Sequence, residues 1–204
     1  MTSRESRASV CRLLLVYTVA IQRSTAQTER NARLLLTGAL ALYGLPCLMR
    51  PEAGRMLDAV DVAIHETGHL VFGPFGDFLG ALGGTLFQLA LPAAFAVYFW
   101  RRADRHAASV ALWWVAQNCW NISVYVRDAR TQLLPLVGGG EHDWAYLLGQ
   151  LGWLQHDRAL ALDVWLAGVA IYLYAVVLGA RESLKVSPAV NGSTDVPDTR
   201  ARQA

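Results

Sequence analysis

Charge is what this sequence has little of. Only 17% of its 204 residues are Asp, Glu, Lys or Arg, against 54% hydrophobic, too apolar for an ordinary water-soluble protein of this length. The net charge of +2 points to no polyanion, and nucleic acid is not expected as a partner. Cysteine is also scarce. Cys11, Cys47 and Cys119 are odd in number, widely spaced and set in or beside apolar runs, which argues against a disulfide framework and for small buried hydrophobes. There is no internal repeat and no evident soluble recognition module.

What is present is apolar sequence in blocks. Phe78 to Trp100 runs 23 residues without a charge and Ala107 to Val126 runs 20, each long enough to cross a hydrocarbon core as a helix. Ala159 to Ala180 is a third block, interrupted only by Asp163. Leu34 to Met49 and Met56 to Phe72 are shorter or more polar and need neighbouring helices to span. The expectation is an all-α, polytopic membrane protein with about five transmembrane helices, the lipid bilayer being its first partner.

Three regions are expected. Residues 1–33 form an N-terminal segment, a signal peptide or an amphipathic helix: Arg4, Arg7 and Arg12 precede a short apolar run, Leu13 to Ile21. Residues 34–180 form the helical transmembrane domain. Residues 181–204, rich in Ser, Pro, Asp, Arg and Gly, form a disordered cytoplasmic tail. If Arg101, Arg102 and Arg105 face the cytoplasm, Arg50 and Arg55 are expected on the same side, as are Arg181 and Lys185. Gly73 to Asp77 and the Arg127 to Arg158 segment then face outward.

Inside this apolar frame stands His65-Glu66-Thr67-Gly68-His69. On a helix, residues four apart share a face, so both imidazoles can hold one zinc ion while Glu66, about 100° round, addresses a water at the metal. Burying two His and a Glu at membrane depth is costly unless they bind something or line a cavity. The competing interpretation is a pair of satisfied histidines in a polar bundle core. Asp58 and Asp61 continue the same stripe, and Asp61 is placed to accept a hydrogen bond from a histidine ring.

A catalytic zinc takes a third protein ligand and keeps a position for water. His69 lies near the outer end of its helix, so the third ligand is expected from the outer segment, where Gly138-Gly139-Gly140 precedes Glu141-His142-Asp143-Trp144. His142 is the favoured choice, Asp143 the next, with an alternative role as helix N-cap, and Asp128 the third. His106 sits on the opposite loop and His156 is expected at the surface. Gln88, Gln117, Asn118 and Asn121 are polar residues in apolar runs, read as interhelical hydrogen-bonding groups. Glycines 80, 83 and 84 with Pro92 suggest close helix approach and a kink. The tryptophans are expected mostly near span ends.

His-Glu-Thr-Gly-His in a membrane helix, followed by Phe72 and a glycine-rich span, resembles the site-two-type intramembrane metalloproteases. That resemblance implies zinc held by His65 and His69, with Glu66 as the catalytic base. In that family an aspartate in an Asn/Pro…Leu-Asp-Gly motif completes the site; Gln88 to Pro92 and Gly138 to Asp143 only echo it, so the third ligand is not carried over. The Leu82-Gly83-Gly84-Thr85-Leu86-Phe87-Gln88, Trp113 to Asn118 and His142-Asp143-Trp144 stretches also resemble a group of uncharacterised bacterial integral-membrane proteins. The function expected is a zinc-dependent metallopeptidase in the bacterial inner membrane, its site towards the outer face, cutting a membrane-associated peptide or protein. The alternatives are a non-catalytic metal-binding or metal-transporting protein, and a degenerate peptidase fold serving as a scaffold.

Overall fold

A computed structural model describes residues 2–134 and 142–187, with side chains from residue 13 onward. The glycine run at 138–140, Glu141 and most of the expected tail lie outside these residues. The described chain is all helical: α1 (Thr2–Met49), α2 (Met56–Phe72), α3 (Asp77–Arg101), α4 (Arg105–Arg127), α5 (Asp143–Gln150) and α6 (Asp157–Leu184). Short 3-10 turns at Gly73–Phe75 and Leu154–His156 lead into α3 and α6. Three helices are long and apolar enough to cross a membrane: Leu13–Met49, Asp77–Arg101 and Leu154–Leu184.

The long apolar runs set α3, α4 and α6, because a segment with few charges loses least by facing apolar neighbours along its length. Helix α4 is central. Trp113, Ala116 and Trp120 pack with Cys47 of α1 and Tyr172 and Ala175 of α6, while Ile122 and Val126 pack with Ala161. Trp113 and Trp120 therefore belong to the core, at 5% and 1% exposure, rather than to a belt at the span ends; Trp100 and Trp153 are exposed. Cys47 and Cys119 are buried free thiols. Pro92 lies within an unbroken α3.

Helix α1 runs unbroken through the expected boundary at residue 33. Its 48 residues make about 72 Å at 1.5 Å per residue, more than twice a hydrocarbon core of about 30 Å. Docking on the bundle begins at Arg33 and Thr37, which meet His106 at the start of α4. Further along, Tyr172 Oη donates to Ala41 O and Trp165 Nε1 to Leu48 O. Before that point Leu13 to Val16, Tyr17 and Ile21 are exposed.

These contacts fix direction, and here the structure departs from the expected topology. The second half of α1 rises alongside α4, ending well above its start. Helix α2 begins beside the middle of α4, where Gln117 Nε2 donates to Asp58 Oδ1 and Trp114 Nε1 to Asp61 Oδ1, and then continues the same way, bringing His65 to the level of Asn121 and Tyr125. The Arg50–Arg55 connection thus lies about 18 Å along α4 from Arg105, not beside it. Arg55 is consumed there: Nη2 donates to Pro46 O and Arg50 O, capping α1, and the Arg55 N–H donates to Asp58 Oδ2. Helices α1 and α2 form one broken course through the bundle rather than a hairpin. Among the described residues α3 and α6 run against them and α4 with them.

Candidate metal centre

Helix α2 packs on α3 through glycine. A methyl group at Gly84 would meet the His65 ring at 2.5 Å, and one at Gly83 would meet Phe72 Cβ at 2.6 Å, so the Leu82 to Thr85 stretch is small because the α2 backbone and the His65 ring occupy that space. Both histidines thereby face a cavity of about 880 Å³ whose wall includes Glu66, Asp77, Gln88, Tyr125 and Asp143. At its far end the cavity reaches Pro51, Glu52 and Asp58. It spans from the break between α1 and α2 to the end where α3 begins.

Each histidine is held by its inner nitrogen. His65 Nδ1 donates to Gln88 Oε1 at 3.1 Å, and Gln88 is itself fixed by donating from Nε2 to Asn121 Oδ1 at 3.1 Å. His69 Nδ1 donates to Gly80 O at 2.8 Å. Both partners accept, so each Nδ1 donates and each ring turns its Nε2 into the cavity, the atom a metal would take. Both Nε2 atoms meet the same carboxylate oxygen, Asp143 Oδ2, at 3.1 Å for His65 and 3.3 Å for His69. Two imidazole nitrogens and a carboxylate oxygen, all within 4.8 Å of one another, are grouped closely enough to hold one metal ion. The set of two imidazoles and one carboxylate fits zinc and leaves a coordination position open.

Asp143 is delivered by α5. His142, not Asp143, is the N-cap: its Nδ1 accepts from Ala145 N at 3.2 Å, and its ring is 2% exposed beneath Tyr125, centroids 4.2 Å apart. Asp143 is the first residue of the helix, so successive side chains diverge by about 100° and only the aspartate points at the histidines. The structure thus brings Asp143, the second choice, to the two histidines and leaves His142, the favoured one, outside the group. Burial holds the His142 imidazole below its usual pKa, against the opposing pull of the Asp128 carboxylate 3.5 Å away.

Asp128 is not in the cluster either. It caps the turn after α4, accepting from Thr131 Oγ1, Leu133 N and Leu134 N. Burial pushes its carboxyl up, but these three donors outweigh burial and hold the pKa below the carboxylate range. Asp61 accepts from Trp114 rather than from a histidine ring. His106 is buried at the opposite end between Thr37 and Arg33 O, and His156 is exposed.

Tyr125 is the participant that the sequence reading missed. Its hydroxyl donates to Asp143 Oδ2 and accepts from the Asp143 N–H, both at 3.3 Å, clamping the aspartate from main chain and side chain. Its signal was its place four residues beyond Asn121, on the stripe already carrying Gln117 and Asn118. No family model, curated protein or solved structure matches this chain.

Proposed function

We propose that the chain is a membrane-embedded, zinc-dependent hydrolase, a metallopeptidase acting on membrane-associated peptides or proteins. The observation that carries this reading is the convergence of His65 Nε2, His69 Nε2 and Asp143 Oδ2 in a cavity that Glu66 also lines. Zinc held by these three residues would supply Lewis acidity, polarising a scissile carbonyl and making water acidic enough to attack near neutral pH. Glu66, which lines the cavity one residue from His65, would take the water's proton and hand it to the departing amine. Gln88 and the Gly80 carbonyl hold the imidazoles in the ligand tautomer, and Tyr125 holds Asp143 in line with them.

Arg30, Arg33, Arg101, Arg102, Arg105, Arg181 and Lys185 gather at the end away from the site. By the positive-inside rule that end is cytoplasmic and the metal centre lies towards the outer face of a bacterial inner membrane. The broken α1–α2 course supports membrane embedding, because irregular backbone at membrane depth is tolerated where it lines a cavity.

Proteolysis of a membrane-protein mixture by the purified chain, followed by mass spectrometry, tests the activity. New cleavage products are expected from the wild type and none from Glu66→Gln, which retains its metal; the barrier lost is worth at least 10²-fold in rate, or about 3 kcal/mol. Products from Glu66→Gln at the wild-type rate contradict the mechanism. The same cavity, running from Glu52 to Asp77, favours a second reading, a metal-transporting protein. Zinc uptake into vesicles without any hydrolysis would select it.

A further inference from the structure

The large cavity is walled by full charges of one sign. Glu52 and Asp58 stand at the end beside the break after α1, Glu66 and Asp143 at the histidines, and Asp77 at the end where α3 begins, while no Lys or Arg among the described residues lines it. The sequence accounts for this: Met56 to Trp100, His106 to Val126 and Thr131 to Asp157 contain no Lys or Arg. Arg50 and Arg55 flank Glu52 in the chain, but neither lines the cavity, and the Arg55 guanidinium is turned to Pro46 O and Arg50 O. Among the described residues no ion pair engages Glu52, Asp58, Glu66 or Asp77.

A zinc ion at the histidines would offset Asp143 and Glu66, and would leave Glu52, Asp58 and Asp77 without a counter-charge. An apolar or acidic segment filling the cavity takes water from these carboxylates and returns no partner. A segment carrying Lys or Arg replaces that water with ion pairs, and the field of the wall draws it in. The sign of its charge therefore discriminates one substrate from another.

We infer that the cavity takes cationic peptides, with a basic residue on each side of the bond held at the metal centre, an inference that rests on the hydrolase reading proposed above. The spacing follows from α2 and α3. Asp58 precedes His65 by about 10 Å of helix, which an extended peptide covers in about three residues. Asp77 lies on the other side, less than one turn before Gly80, whose carbonyl meets His69, and about one or two extended residues cover that interval. The two basic residues of the substrate thus stand about four or five apart.

The test uses two dye-labelled peptides of about ten residues, built of alanine and valine, one with lysines about five apart and the other with glutamine at both places. Affinity is read by fluorescence anisotropy on full-length, zinc-supplied Glu66→Gln in detergent, and cleavage by mass spectrometry on the wild type. The lysine peptide is expected to bind about tenfold more tightly, with the margin shrinking as salt rises and when Glu52→Gln and Asp77→Asn are added. Equal affinity for the two peptides overturns the inference, as does a preference that Glu52→Gln and Asp77→Asn together leave intact. The hydrolase reading fails separately. Lysine-selective binding with neither peptide cut removes that reading and supports the cationic preference, whereas cleavage of both peptides with equal affinity keeps the reading and overturns the preference. The two peptides compared on one protein decide the matter even if a charge variant fails to fold.

Discussion

At the scale of single residues, the site depends on which atom each side chain is left free to offer. His65 and His69 offer Nε2 because Gln88 Oε1 and Gly80 O occupy Nδ1, and Asp143 offers Oδ2 because Tyr125 holds it. Removing an orienting partner of a ligand typically costs 10- to 100-fold in metal affinity. Tyr125→Phe is therefore expected to weaken zinc binding by roughly tenfold in a competition titration while the fold persists, and unchanged affinity would leave Tyr125 without its positioning role. Asp128 acts on the neighbouring turn and makes a pH-dependent contribution. Its folded pKa lies below the unfolded value of about 3.9, so its stabilisation is fully present above that value and lost as pH falls through the folded one. The wild type should be more stable than Asp128→Asn at about pH 5, with the gap closing at lower pH, as followed by thermal melts. Little of this was legible from spacing. The two histidines and Glu66 were, because a four-residue interval on a helix is geometry, but the choice between adjacent His142 and Asp143 depends on which one takes the cap.

At the scale of elements, close approach and capping explain what composition did not. The glycine-rich start of α3 is small so that α2 can seat against it with the His65 ring over Gly84. Gly84→Ala should displace that ring, lowering stability by about 1–3 kcal/mol and reducing zinc content, whereas Gly38→Ala, with nothing within 4 Å, should be neutral or stabilise by up to about 1 kcal/mol. Chemical denaturation and metal analysis of the two variants check this; equal behaviour would remove the packing account. The spans of α3, α4 and α6 were readable because uninterrupted apolar sequence has few alternatives to a buried helix. The extent of α1 was not, since nothing in Ser24 to Arg33 forbids a helix, and the site only becomes legible once α5 is seen to begin at Asp143.

At the scale of the whole molecule, the Arg50–Arg55 connection sits beside the middle of α4 and not beside Arg105, and Arg55 caps the end of α1 there through Pro46 O and Arg50 O. The helix order places Ala103 at one end of the bundle and Gly76 at the other, with Gly54 between them. Single cysteines at 76 and 103, introduced into a chain whose native cysteines are removed, should react with an impermeant maleimide from opposite faces of the membrane. Labelling of both from one side would contradict this placement of the two ends.

The proposed function rests on one metal that His65, His69 and Asp143 could hold. Zinc content of the purified chain, compared with His65→Ala, Asp143→Ala and His142→Ala, tests it most directly. The account predicts one zinc per chain in the wild type, loss in His65→Ala and Asp143→Ala, and retention in His142→Ala with a stability lower by about 1 kcal/mol for the missing cap. A wild type without zinc, or an Asp143→Ala variant that keeps it while His142→Ala loses it, would contradict the assignment.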